Sequence, residues 1–151
     1  MSRYLVLHGP NLNRLGRREP DVYGTLTLSE LDERIRRHAA TLGVQTLHLQ
    51  SNHEGVLIDA LQDADDDCAG AVFNPGAYTH YSYALRDAVA SLSIPVVEVH
   101  LSDLHAREGW RRTSVIAEVC VGQVMGRGPE SYCEGLDILV ARTTSGTGER
   151  R

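Results

Sequence analysis

The sequence predicts an α/β fold of three layers, with a parallel sheet between two layers of helices. Short apolar runs alternate with longer stretches whose apolar residues recur at helical spacing, two of those runs end at a Gly-Pro or Pro-Gly break, and polar side chains gather just past the run ends. Strands that alternate with helices pair in parallel through right-handed crossovers. Ligands of such sheets sit beyond the carboxyl ends of the strands.

The first run, residues 3–7, reads as a buried strand that stops at His8-Gly9-Pro10. Asn11, Asn13, Arg14, Arg17, Arg18 and Tyr23 follow in the loop where a ligand would be held. Thr27 and Glu30 have the spacing of a capping box, and Leu28, Leu31, Ile35, Ala39 and Leu42 write one helical face up to Gly43. Residues 44–50 alternate polar and apolar and predict a half-covered strand. A helix over about 56–64 then buries Leu57, Ile58 and Leu61 before an acidic turn.

Residues 70–74 predict a third strand, broken by Pro75-Gly76. Thr79 is placed to cap a helix whose face carries Tyr81, Ala84, Leu85, Ala88, Val89 and Leu92. A fourth strand is expected over 96–101, a polar connection with room for a short helix over 102–112, and a fifth strand over 115–125. A closing helix from about 130 to 142 follows, with Gly135 against it. Five strands in this rhythm suggest the flavodoxin-like order 2-1-3-4-5. A single domain over residues 1–142 with a disordered polar tail over 143–151 accounts for the length.

Three cysteines, Cys68, Cys120 and Cys133, are odd in number and not at metal spacing, which favours reduced thiols in a cytoplasmic protein. The N-terminus has no charged-then-apolar leader, and the apolar runs fall short of the ~20 residues of a membrane helix. A formal charge of −5 offers no general attraction for nucleic acid or anionic membrane. The charge is uneven, however. Asp63, Asp65, Asp66 and Asp67 read as a solvated helix end, whereas Arg14, Arg17, Arg18, Arg107, Arg111 and Arg112 cluster past strand ends, where a small anion would sit.

In the fourth strand, period-two alternation puts Val97, Val99 and Leu101 on one face and Glu98, His100 and Ser102 on the other. Two readings stand. A carboxylate that accepts a hydrogen bond from the imidazole fixes its tautomer and favours the charged ring that acid catalysis uses; the alternative is an edge strand with a wet face. Asn74, Gly76 and Ala77 lie at the third strand end, with His80 near a helix start, which suits binding. Seven histidines invite a metal, but no H-E-x-x-H or other recognised ligand spacing is present. Tyr23, close to Arg17 and Arg18, is either an ordinary loop residue or a base. As a base it needs neighbouring guanidinium charge, because an unperturbed phenol of pKa about 10 is only about one part in a thousand ionised at neutral pH.

The strings HGPNLNRLGRREPDVYG, QSNHEG, FNPGAYTHYSYALRDA, PVVEVHLSDLHAREGWRRTS and GQVMG resemble, in order and spacing, the type II 3-dehydroquinate dehydratases, from residue 4 to about 126. The resemblance implies a flavodoxin-like fold, no cofactor, no metal, and loss of water from 3-dehydroquinate to give 3-dehydroshikimate in the shikimate pathway of aromatic amino acid biosynthesis or in quinate breakdown. By matched position, Tyr23 would take the proton alpha to the ketone and Arg18 would keep it ionised. Asn11 would hold a water at the enolate, and His100, supported by Glu98, would protonate the departing C1 hydroxyl. Asn74 would orient that hydroxyl and the substrate carboxylate, which Leu101 and Ser102 would also bind. His80 and Arg111 would contact the other hydroxyls, and Arg107 would close over the site.

The same resemblance implies self-association as a homododecamer, a tetramer of trimers, with Asp87 reaching a neighbouring subunit's site. Two positions depart from the family pattern. His8 stands where Asn is more usual, and Ser131 replaces the glycine that usually precedes Tyr132. A second class of function is a non-catalytic binding protein for a hydroxylated carboxylate; retention of both Tyr23 and His100 argues against it.

Overall fold

A computed structural model describes residues 1–17, 21 and 25–146, with backbone alone at 145–146. Tyr23 and Arg18 lie outside the described residues. The strands are β1 (Arg3–His8), β2 (Gln45–Gln50), β3 (Gly70–Asn74), β4 (Val96–His100) and β5 (Gly122–Met125). They pair in parallel in the order β2-β1-β3-β4-β5, the flavodoxin-like arrangement expected. The helices are α1 (Leu28–Thr41), α2 (Glu54–Asp67), α3 (Tyr83–Ser91) and α4 (Pro129–Gly146).

Alternation along the central strands divides the core into two layers. Leu5, Leu7, Ala71 and Phe73 meet Leu57, Leu61 and Leu85 of α2 and α3 on one side. Tyr4, Val6, Val72, Val97 and Val99 meet Leu31 and Ile35 of α1 and Tyr132, Leu136 and Leu139 of α4 on the other. Helix α4 approaches the sheet closely. A Cβ on Gly135 would stand 2.8 Å from Val99 Cγ1, so the glycine that weakens the helical propensity of this segment is what lets it pack there.

Helix α1 begins as the sequence prescribes. The Thr27 side chain accepts from the Glu30 amide at 3.2 Å and the Glu30 carboxylate accepts from the Thr27 amide at 3.1 Å. Replacing Thr27 with alanine is expected to cost about 1 kcal/mol in urea unfolding, and an unchanged midpoint would show that the cap is dispensable.

Several boundaries differ from expectation. Helix α2 starts earlier and ends later than 56–64, and Asp65 at its end accepts the amides of Ser93 and Ile94 at 2.8 and 3.1 Å. Ser82, not Thr79, caps α3, accepting the Leu85 amide at 3.0 Å; Tyr81 therefore precedes the helix and is exposed. The fifth strand covers only 122–125. Ile116 in the preceding segment is buried, but it enters the core from turns and not from a sheet register. Helix α4 runs on through residues 143–146, which the tail was expected to include, and residues 147–151 lie outside the described residues.

Candidate active site

The carboxyl ends of β1, β3 and β4 open on one cleft, and the backbone there leaves little choice of residue. Gly9 donates its amide to the Asn74 carbonyl at 2.7 Å. A Cβ on Gly9 would lie 2.6 Å from the Pro75 carbonyl, so the ends of β1 and β3 can meet only around a glycine. Asn11 then turns the chain at φ 69°, a left-handed conformation that asparagine tolerates better than most residues. The segment after β2 braces this turn. Asn52 Oδ1 accepts the Asn11 amide at 2.9 Å and Gln50 Nε2 at 3.1 Å, while Gln50 Nε2 also donates to the Gly9 carbonyl at 3.0 Å. Among the residues lining the cleft are Asn11, Asn74, His80, His100, Leu101, Ser102, Arg107 and Arg111.

Beneath the cleft, Glu98 is completely buried and His100 nearly so. His100 Nε2 donates to Glu98 Oε2 at 2.6 Å. That leaves Nδ1 as the nitrogen able to exchange a proton with a ligand. Ser114 Oγ donates to Glu98 at 2.8 Å, Gln123 Nε2 donates at 3.1 Å, and the Thr79 hydroxyl completes the shell. Burial alone would raise the Glu98 carboxyl, but these bonds from His100, Thr79 and Ser114 outweigh it and hold the group below the ordinary carboxylate range. A carboxyl depressed on folding contributes stability above its unfolded pKa, about 4.3, and loses that contribution as pH falls through the folded value. Urea midpoints measured from pH 6 to pH 3 should therefore fall more steeply for the native protein than for Glu98→Gln; parallel curves would contradict this.

At the rim, His80 Nδ1 donates to the Thr113 carbonyl at 2.7 Å, and its ring stands edge-on to Trp110. The Arg111 guanidinium lies 4.1 Å over Trp110 and pairs with Glu108. Burial and the nearby His100 and Arg111 lower the His80 pKa, so its ring is neutral at pH 7 and Nδ1 carries the ring proton. Arg107 donates to Ser102 Oγ at 3.2 Å, and Arg112 Nε donates to the Arg107 carbonyl at 2.9 Å, steadying the loop without lining the cleft.

The structure thus brings together Asn11, Asn74, His80, His100, Leu101, Ser102, Arg107 and Arg111, with Glu98 behind His100. Asp87 stands exposed on α3, away from this cleft, and Asn13, Arg14 and Arg17 are exposed outside its lining. Residue reasoning missed Thr79, Ser114 and Gln123, whose polar groups come from three separate segments. It also missed a cluster of buried His8 with partly buried Asp32 and His48, joined to the cleft through Tyr132.

Among the described residues no helix is long and apolar enough to cross a membrane. The family model described as dehydroquinase class II matches residues 2–140. A 3-dehydroquinate dehydratase of Bacillus licheniformis is 59% identical over 132 residues, covering 87% of this chain and 91% of its own. That of Bacillus pumilus is 55% identical over 141 residues, covering 93% and 96%. The crystal structure of a type II dehydroquinase from Butyrivibrio crossotus superposes with a TM-score of 0.89 at 45% identity, over 91% of this chain and 97% of that one.

Proposed function

The chain belongs to the class II dehydroquinase family, and on that premise we propose that its cleft removes water from 3-dehydroquinate to give 3-dehydroshikimate through an enolate. The observation that carries the reading is the buried Glu98–His100 pair beneath a cleft lined by amide, hydroxyl and guanidinium groups. Tyr23, ionised beside Arg18, takes the proton alpha to the ketone. The electrons move onto the carbonyl oxygen, where a water held by Asn11 stabilises the negative charge. As the enolate collapses, the C1 oxygen leaves with the bonding pair and collects a proton from His100. Proton and hydroxyl depart together as water, so the overall change is neither oxidation nor reduction and the sequence of steps calls on no cofactor or metal.

Substrate anchoring divides between the strand ends and the rim. Asn74, the Leu101 and Ser102 backbone amides and the Ser102 hydroxyl hold the carboxylate, His80 and Arg111 take the ring hydroxyls, and Arg107 closes over them. Asp87 is exposed on α3 and does not line its own chain's cleft, which suits a contact with a neighbouring copy's site in a homododecamer, a tetramer of trimers. The three unpaired cysteines suit a cytoplasmic setting.

The test is the enone absorbance formed when the purified, chelator-treated protein meets 3-dehydroquinate. Turnover that resists the chelator is expected. Calorimetric binding without product would replace this reading with that of a non-catalytic binding protein.

A further inference from the structure

We propose that Tyr132, His8 and Asp32 are positioning residues for the dehydration: a one-way chain of hydrogen bonds, buried as far as His8, that fixes the orientation of the Asn74 amide at the substrate. The inference rests on the functional reading above for the role of Asn74. It concerns residues that the reading leaves idle.

The geometry begins in the cleft. Asn74 Oδ1 accepts the Gly76 amide at 3.0 Å, and Asn74 Nδ2 donates to the Tyr132 hydroxyl at 3.0 Å. A flipped amide would set its NH2 against the Gly76 N–H, two donors facing each other, so the orientation is determined by the network. One amide hydrogen is then spent on Tyr132, and the other is left for a ligand. Tyr132 is fully buried, and its hydroxyl lies 2.9 Å from His8 Nδ1. Its oxygen already accepts from Asn74, so its single proton points to His8. His8 Nδ1 is therefore the acceptor, and the ring proton sits on Nε2. That nitrogen donates to Asp32 Oδ1 at 2.7 Å.

Asp32 Oδ1 also lies 2.7 Å from His48 Nδ1, and His48 Nε2 lies 2.7 Å from the Thr46 hydroxyl. The direction is thus set at the far end by a carboxylate that can only accept. Burial keeps the Tyr132 phenol protonated and the His8 ring neutral. Burial acts against ionisation of Asp32, but the bonds from His48 and His8 prevail and hold it charged. These are the protonation states that the chain requires.

Two imidazoles and a carboxylate this close also resemble a metal centre. The separations of 2.7 Å are those of shared protons, however, since ligand atoms around a tetrahedral ion with bonds of about 2.0–2.1 Å stand about 3.3 Å apart. The residues also come from β1, α1, β2 and α4, so no local motif announces them.

The decisive variant is Asp32→Ala, remote from the cleft and at a residue only partly buried; asparagine would keep an accepting oxygen where Oδ1 stands and could leave the chain as it is. Alanine takes away the oxygen that accepts from His8 Nε2, so nothing holds the ring proton there and it is free to move to Nδ1, where the Tyr132 oxygen is the available acceptor. Tyr132 must then accept from His8, its own proton has only the Asn74 side chain to turn to, and the Asn74 amide is driven to flip. Both Asp32→Ala and Tyr132→Phe are expected to lower kcat/KM about tenfold, and neither should lower it further in an Asn74→Ala background. Nitrogen NMR of the histidines should show His8 changing tautomer in Asp32→Ala.

Equal losses in both backgrounds would mean ordinary destabilisation and would overturn the proposal, as would kcat/KM within twofold of the parent. If Tyr132→Phe does not fold, Asp32→Ala decides alone. A parent protein inactive on 3-dehydroquinate would instead sink the functional reading, and the His8 tautomer would still report on the chain of hydrogen bonds.

Discussion

Replacing His100 with alanine lowers kcat by about two to four orders of magnitude while KM stays within about fivefold. The expectation follows from what the ring does and does not touch. One nitrogen is committed to Glu98 at 2.6 Å, and the ring lines the cleft. In the proposed reading the rest of the substrate's anchorage belongs to Asn74, Leu101, Ser102, His80, Arg107 and Arg111. On the proposed mechanism, removing the ring removes the proton donor for the departing hydroxyl, which matters most once the C–O bond is stretching, and leaves the ground state largely held.

The fold should survive, because Glu98 keeps Ser114, Gln123 and Thr79 as donors. It loses one of its four side-chain donors, and a fall in stability of about 1–3 kcal/mol should accompany the loss of rate. Steady-state kinetics together with calorimetric affinity for a non-reacting substrate analogue separate the two effects. A defect confined to affinity would make His100 a binding residue and reassign the acid.

The sequence made Glu98 and His100 visible because a strand covered on both faces has no cheap place for a charge, so their alternation with valines called for a chemical reason. It could not show who keeps Glu98 ionised. Thr79, Ser114 and Gln123 each look like ordinary polar residues in their own segments, and Thr79 has all the local credentials of a helix cap. Ser82 took that role instead, because a short 3-10 turn over Gly76–His80 delays the helix and turns Thr79 inward to the carboxylate.

The same limit explains β2 and β5. Alternation in β2 is legible, but the partly buried side carries Thr46, His48 and Gln50 while Leu47 and Leu49 remain 40% and 44% exposed, the reverse of what hydropathy favours. The covering helix α1 contributes Asp32, which pairs with His48, and His48 in turn meets the Thr46 hydroxyl, while Gln50 bonds Gly9 and Asn52. For β5, an apolar run is equally compatible with a strand and with turns that insert one side chain into the core, as Ile116 does.

Tyr23→Phe should produce a still larger loss of kcat than His100→Ala, at least about a thousandfold, because no other group is assigned to take the proton alpha to the ketone. A phenyl ring keeps the bulk and loses the only atom that can accept the proton. Binding should persist, so the variant should still hold substrate in calorimetry. The companion variant is Arg18→Gln. If the guanidinium lowers the phenol's pKa by ~2 units, it supplies ~2.7 kcal/mol in favour of the phenolate. Without it the base returns towards its ordinary pKa of about 10, and the fraction ionised at pH 7 drops to about one in a thousand. Raising the pH should then restore much of the rate of Arg18→Gln and none of that of Tyr23→Phe. Near-normal turnover by Tyr23→Phe would remove the phenolate from the mechanism, whereas an Arg18→Gln defect that alkaline pH cannot relieve would leave the base in place and make Arg18 a substrate ligand instead.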